Sequence, residues 1–289
     1  MKINKISFVF LLLTLFTFSV WANSPVWKIS KGNNYIYIGG TVHILKSSDF
    51  PLPLAFNKAY ADSDAIFFEV DLEKTETTEF QEKFLQTLIY KNGKNLKDYI
   101  SDKTYKRLDN YFKNNGLQLK PMLIFKPSMA ILSITIEEFK KLGFNEAGVD
   151  SFFYKKAIKD RKYTGALESI DTQINFLANM GEGNEDKFIN YSLQDIKNIP
   201  LIMDSIKQSW LSGDIDRVNK EMLLPMKDEF PTIYNNLIVK RNNNWMPKIK
   251  RMFKIKNNEL VLVGYLHLVG DDGLLQQLKS DGYKIEMLD

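Results

Sequence analysis

Short runs rich in β-branched and aromatic residues mark the strands of this chain, and stretches of helical period separate them. Val26 to Ile29 and Tyr35 to Ile38 flank the turn Lys31-Gly32-Asn33-Asn34 and predict a hairpin. Ala65 to Val70 and Tyr163 to Leu167 read as further strands, as does the run from Glu259 toward Gly264. From Leu72 to about Phe144 the period is helical: one segment starts at Ser101-Asp102-Lys103 and stops at Gly116, another follows Lys126-Pro127 and stops at Gly143. Asp150 to Lys159 is one more helix, and Ser169 caps a helix that runs through Met180. Asn184 to Lys254 is charged and helical in period, predicting two or three helices that cover the sheet or lid a crevice. Pro200, Pro225, Pro231 and Pro247 mark the expected breaks in it.

Two of the strands carry the same sequel. Tyr35 to Leu45 (YIYIGGTVHIL) and Glu259 to Val269 (ELVLVGYLHLV) each pass from strand through Gly-x-x-His into an apolar pair, so each imidazole falls just beyond the carboxyl end of its strand. His43 and His267 are the only histidines in the chain. A helix-like segment and the Ala65 to Val70 strand follow the first; a GDDG turn, a helical LLQQLKS and a strand-like YKIEML follow the second. The predicted fold is therefore α/β: a mixed, largely parallel sheet built from two pseudo-repeated strand-GxxH-helix-strand units. A large helical insertion, about 73–160 and 184–254, covers it. Ligands in such sheets collect outside the carboxyl ends of the strands, so two half-sites of one build can converge on one crevice.

Composition narrows the setting. The 289 residues, 44% hydrophobic and 26% charged, suit a chain that folds on its own core. Residues 1–22 differ: Lys2 and Lys5 precede an almost wholly apolar run from Ile6 to Val20, and Val20-Trp21-Ala22 offers small residues where a signal peptidase reads. This predicts a cleaved secretory signal, leaving 23–289 as a single domain in the periplasm or secreted, with no stable membrane span; an uncleaved anchor is the rival reading. The absence of cysteine excludes a disulfide-stapled scaffold, a lipoprotein and a thiol nucleophile. Without Lys2 and Lys5, 37 basic residues face 35 acidic ones, a balance that argues against a nucleic-acid partner.

Candidate chemistry gathers at the strand ends. His43, His267, Glu69 and Glu168 each fall there, and Arg241 lies in the helical region. Two neutral imidazoles and a carboxylate suit a divalent metal with an open position for water. Glu168 would take a proton from that water, and Arg241 would steady an anionic group. Each residue has a plainer reading too. A histidine after a strand can simply pack, Glu69 can be an inward charge blunting an edge strand, Glu168 can cap the next helix, and Arg241 can be a solvated surface charge. The HExxH motif of many zinc proteases is absent.

The pair Gly40-Thr41-Val42-His43 and Gly264-Tyr265-Leu266-His267-Leu268-Val269-Gly270, with strand-end Glu69, resembles the TraB/PrgY/GumN family, to which the TIKI metalloproteases are also similar. Pro51-Leu52-Pro53, Lys126-Pro127, Gly148-Val149-Asp150, Leu167-Glu168 with Gln173, Trp210 to Asp214 and Arg241-Asn242 fit the same pattern. Tyr265 departs from it, standing where a smaller residue is expected. The resemblance implies an exported metal-dependent hydrolase, peptidase-like, acting on a peptide or an envelope polymer. The expected ligands, from the residues themselves, are His43, Glu69 and His267, and the expected metal is zinc, manganese or cobalt. The rival function is a non-catalytic periplasmic protein that binds peptide or polysaccharide.

Overall fold

The computed structural model describes residues 24–91 and 93–289. The basic start, apolar run and cleavage position of the expected signal peptide lie outside the described residues. The strands are β1 (Val26–Lys31), β2 (Asn34–Thr41), β3 (Ile44–Leu45), β4 (Ala65–Phe68), β5 (Glu146–Ala147), β6 (Tyr163–Ala166), β7 (Glu259–Gly264) and β8 (Lys284–Met287). Six of them form one sheet in the order β6-β4-β7-β2-β1-β8, and β3 pairs with β5 apart from it. β6, β4, β7 and β2 run parallel, while β1 is antiparallel to both of its neighbours. This is the mixed, largely parallel α/β sheet expected, and it sets the two Gly-x-x-His strands side by side.

The main helices are α1 (Leu54–Asp62), α2 (Asp102–Asn114), α3 (Pro127–Lys141), α4 (Val149–Asp160), α5 (Ile170–Ala178), α6 (Glu185–Ser212), α7 (Lys240–Met252) and α8 (Leu274–Ser280). Their starts follow local chemistry: Ser101 and Ser169 hydroxyls accept the Thr104 and Thr172 amides, and Pro127 occupies the first turn of α3. Successive residues of β7 point to opposite faces, yet Leu260, Val261, Leu262 and Val263 are all at 0% exposure. Helices therefore cover both faces, which is why the strand reads as an unbroken apolar run. Burying each of those side chains contributes about 1.5–3 kcal/mol relative to leaving it in water.

A second apolar core lies among the helices, where Leu108, Phe112, Ala130 and Ile134 meet Phe188, Ile189, Leu193 and Ile196 of α6. The 28-residue α6 spans both cores, its far end bringing Trp210 into the first. Two expected breaks are not breaks: Pro200 lies inside α6 and Pro247 inside α7. Both prolines face solvent while Ile196, Ile199, Met246 and Ile249 beside them are buried. Water can satisfy the carbonyl each proline frees, and the packing holds the helix across the lost bond. Pro225 and Pro231 do sit in first turns, of the segments Leu224–Glu229 and Pro231–Tyr234. Among the described residues no helix is long and apolar enough to cross a membrane.

Glu259 opens β7 at the sheet's amino-terminal rim. It is 2% exposed, and its Oε2 has no hydrogen-bond partner. Burial, with Asp64 nearby, pushes its carboxyl up to about 7. The folded state thus holds this proton more tightly than the unfolded chain, and the stability it confers is present below the ordinary pKa and lost as pH rises through 7. Glu259→Gln removes the penalty. In urea titrations the variant should exceed the wild type by about 3 kcal/mol at pH 8 and match it near pH 4; equal stability at both pH values would refute the assignment.

Candidate functional site

The carboxyl ends of β2, β7, β4 and β6 meet on one rim of the sheet. The pairing Thr41↔Gly264 aligns the two Gly-x-x-His loops, and the bonds Leu167 N–H to Phe68 O and Glu168 N–H to Glu69 O, both 2.9 Å, extend the β4–β6 ladder past the strands. His43, His267, Glu69 and Glu168 are thereby brought together, and α7 delivers Arg241 into their midst.

Two glycines make that convergence fit. A Cβ on Gly40 would lie 2.4 Å from the Tyr265 ring, so the first glycine clears room for the bulky residue that follows the second. Tyr265 is core: its hydroxyl donates to the Ser209 carbonyl at 3.0 Å, and Trp210 Nε1 donates to the Gly40 carbonyl at 2.7 Å. A Cβ on Gly264 would meet Glu69 Oε1 at 3.1 Å, His43 Nε2 at 3.5 Å and His267 Cδ2 at 3.7 Å. That small space is where the matched motifs face each other.

His43 is oriented from below. The short β3–β5 pair docks Gly148 onto the loop, where the Gly148 and Val149 amides donate to the His43 and Val42 carbonyls at 3.1 Å. A side chain at Gly148 would collide with the His43 backbone at 2.4 Å. Asp150, two residues on, then reaches His43 Nδ1 at 2.8 Å and accepts from the Thr41 hydroxyl at 2.9 Å. Its carboxylate raises the imidazole to about 9. Since the His43 side chain is 65% exposed, that shift rests on Asp150 and not on burial.

His267 is held differently, in a 3₁₀ turn, Tyr265–Leu268, at 3% exposure. Asn242 gives both amide hydrogens away, to the His267 and Asp272 carbonyls, so its oxygen accepts from His267 Nδ1 at 2.7 Å. Nε2 is then the bare nitrogen, and it accepts from Arg241 Nη1 at 3.0 Å. Burial lowers His267 to about 3, so it is neutral in ordinary buffers. The Trp245 ring lies 4.4 Å from it.

Arg241 closes the cluster. Its Nη2 pairs with Glu69, and Nε and Nη2 both donate to Glu168, at 3.0 and 2.6 Å to Oε1. All three side chains are 6% exposed. Burial alone would raise Glu69, but the basic groups around it and the Gly264 amide, 2.7 Å from Oε1, outweigh that and hold it at about 2. With His267 neutral, Arg241 and His43 do most of this. Burial raises Glu168, which also accepts from Trp245 Nε1 at 3.0 Å.

These contacts overturn the plainer readings of three residues. Glu69 does not blunt an edge, because β4 lies between β6 and β7. The helix cap is Ser169, leaving Glu168 to Arg241 and Trp245. Arg241, 5% exposed, is not a surface charge. A π-turn, Asn235–Val239, directly precedes α7 and resets its phase, so that Arg241 and Asn242 both face inward. Asp150 and Asn242, the partners of the two imidazoles, were not among the sequence candidates, although Gly148-Val149-Asp150 and Arg241-Asn242 belonged to the resembling pattern. Gln173, which donates to Glu69 Oε2 at 3.2 Å, did as well.

The implied metal can be tested against these residues. Among the described residues no three His, Asp or Glu side chains stand ready spaced around a common point, because Arg241 takes His267 Nε2 and one Glu69 oxygen. The donor chemistry nevertheless fits. Both imidazoles engage a side-chain oxygen through Nδ1, which leaves Nε2 as the ligating nitrogen of each; His43 Nε2 and Glu69 Oε1 border the Gly264 space, and His267 Nε2 lies 3.9 Å from that oxygen. Holding an ion there requires the guanidinium to release His267.

A model of the TraB/PrgY/gumN family matches residues 25–287. The uncharacterized protein YbaP of Escherichia coli (strain K12) is 22% identical, over 86% of this chain and 89% of its own length. The metalloprotease TIKI2 of Danio rerio is 21% identical over 91% of this chain and 61% of its own length, and that of Xenopus tropicalis is likewise 21% identical, over 91% and 60%. No solved structure matches.

With only two histidines present, proton NMR reads both directly. One imidazole should titrate near 9 and the other remain neutral above pH 5. Asp150→Asn should bring the first down toward the unperturbed value of about 6.5. A midpoint still near 9 in that variant would mean that Asp150 is not the cause.

Proposed function

We propose that this chain, which belongs to the TraB/PrgY/gumN family, is an exported metal-dependent hydrolase of peptidase type, working in the periplasm or cell envelope. One observation carries the reading: the chain's two histidines border one small space edged by Glu69 Oε1, His43 through Nε2 and His267 through Cδ2 with its Nε2 3.9 Å from that oxygen, each imidazole fixed by a separate Nδ1 partner. The similarity to TIKI2, a metalloprotease, supports hydrolysis as the chemistry. Export rests on the character of residues 1–22.

His43, Glu69 and His267 are assigned to hold a divalent ion, zinc, manganese or cobalt. Such an ion supplies Lewis acidity and a water of lowered pKa. For its part the protein must free two nitrogens. His43 gives up the proton that Asp150 stabilises, and His267 gives up its bond from Arg241. Arg241 stays anchored by Glu168, placed to take up negative charge on a carbonyl oxygen. Glu168 has both oxygens engaged, so we assign it the positioning of Arg241 rather than the general-base role.

The second reading, a non-catalytic binder of peptide or polysaccharide, draws on the same cluster: Arg241 already satisfies His267 and Glu69 without an ion. Thermal melting after chelator treatment separates the two. Manganese, zinc or cobalt at a hundredfold excess over its Kd should stabilise the wild type by about 2.7 kcal/mol. His43→Ala, at an exposed position, should fold normally and lose that shift, and His267→Ala should lose the bound ion. If both variants keep the ion, the ligand assignment fails; if the wild type shows no shift with any of the three metals, the binder reading replaces it.

A further inference from the structure

Arg241 is among the residues that line a groove of about 460 Å³. Its floor is apolar, formed by Phe176, Met180, Phe188, Phe230 and Ile233. Carboxamides line the groove too: Asn175 and Asn179 along α5 and its cap, Asn236 in the π-turn and Asn244 in α7. Charges at its margin offset one another, Lys187 and Lys240 against Glu182 and Glu229. Asn175, Asn179 and Glu182 also line an adjoining depression of about 660 Å³, in which the Tyr90 hydroxyl is buried without a partner. The two form one trough leading away from the candidate site.

We propose that this trough binds an extended peptide segment of the substrate and seats a bulky apolar side chain on its floor, so that α5 and the start of α7 set specificity. This deepens the hydrolase reading and rests on it for the cleavage chemistry beside Arg241, though not for the binding itself. A carboxamide offers one acceptor and two donors, the complement of a peptide bond; the Asn179 and Asn236 oxygens already accept from Lys126 and Lys240, at 2.9 and 2.8 Å, which leaves those two residues as donors. Asn175 and Asn179 stand one helical turn apart, about 6 Å, close to the roughly 6.6 Å at which an extended chain repeats the same face, and Asn236 and Asn244 stand about two turns apart. Side chains on alternate positions would point to the floor. The offset charges disfavour a strongly charged polymer. A neutral glycan is held by stacking on open aromatic faces, and three of the rings here are already engaged: Phe230 is met by Tyr191 at 4.7 Å in an edge-on pair and by Lys187 Nζ at 4.7 Å, while Tyr90 and Tyr99 stack on each other at 4.5 Å.

Calorimetric titration of the chelator-treated protein reads binding without turnover. The probes are N-acetyl hexapeptide amides identical except for Gly, Leu or Phe at one central position, with a β-1,4-linked glucose hexasaccharide as the carbohydrate arm. The Leu and Phe peptides should bind about 10- to 100-fold more tightly than the Gly peptide. Asn175→Trp and Asn244→Trp, both at exposed positions, should obstruct the trough and abolish that preference, with melting temperature and divalent-ion binding unchanged. Absence of peptide binding, a preference that survives both substitutions, or tighter binding of the hexasaccharide would each overturn the proposal. Peptide preference retained in a protein that binds no ion would uphold the trough and sink the hydrolase reading alone.

Discussion

A single buried guanidinium organises this end of the molecule. Arg241 reaches from α7 to the ends of β4, β6 and β7 at once, through Glu69, Glu168 and His267. Two carboxylates at 6% exposure on parallel neighbouring strands would repel each other strongly in a medium of low dielectric. The guanidinium turns that repulsion into attraction, and its planar fork satisfies oxygens on both sides. Removing one partner from such a buried set costs about 3–5 kcal/mol, because the remaining charge keeps its desolvation penalty. An Arg241 truncation would therefore report on stability before it reported on chemistry.

Steric fit comes next in importance. The parallel β2–β7 pair brings two loops of similar build into contact, and loops with side chains at both leading positions would collide. Gly40 yields to Tyr265, and Gly264 yields to Glu69 and the imidazoles. The glycines are thus complementary rather than equivalent, one making room for packing and the other for the site. Trp210, donating from α6 to the Gly40 carbonyl, fixes the first loop against the helical layer. The helical segments accordingly position the site as well as covering the sheet.

What the sequence disclosed was whatever depends on local pattern. The strands, the capped helix starts and the paired Gly-x-x-His loops stand out because period-two runs and turn residues lie close together in the chain. Strand-end Glu69 and Glu168 followed from them. Arg241 was harder to place, since Lys-Arg-Asn-Asn-Asn is polar in every direction and shows no buried face, and the π-turn before it shifts the helical phase unannounced. Asp150 depends on a two-residue strand pair too short to stand out, with Gly148 as its faint trace. Pro200 and Pro247 misled because a proline's effect depends on which way its carbonyl partner faces, and that is a tertiary fact.

The charge balance of the cluster bears on what it is built to hold. Three carboxylates, Glu69, Glu168 and Asp150, face two cationic groups, Arg241 and the protonated His43. The set is one positive charge short, and the unmet charge lies on the side of the Gly264 space, where Glu69 Oε1 has only an amide for company. A divalent ion exchanged for the His43 proton supplies one further positive charge and brings the set to neutrality. His267, neutral by burial and with its Nδ1 proton committed to Asn242, adds a lone pair without adding charge. The proposed +2 ion would therefore leave the cluster neutral, and Arg241 is the group that would have to move to admit it.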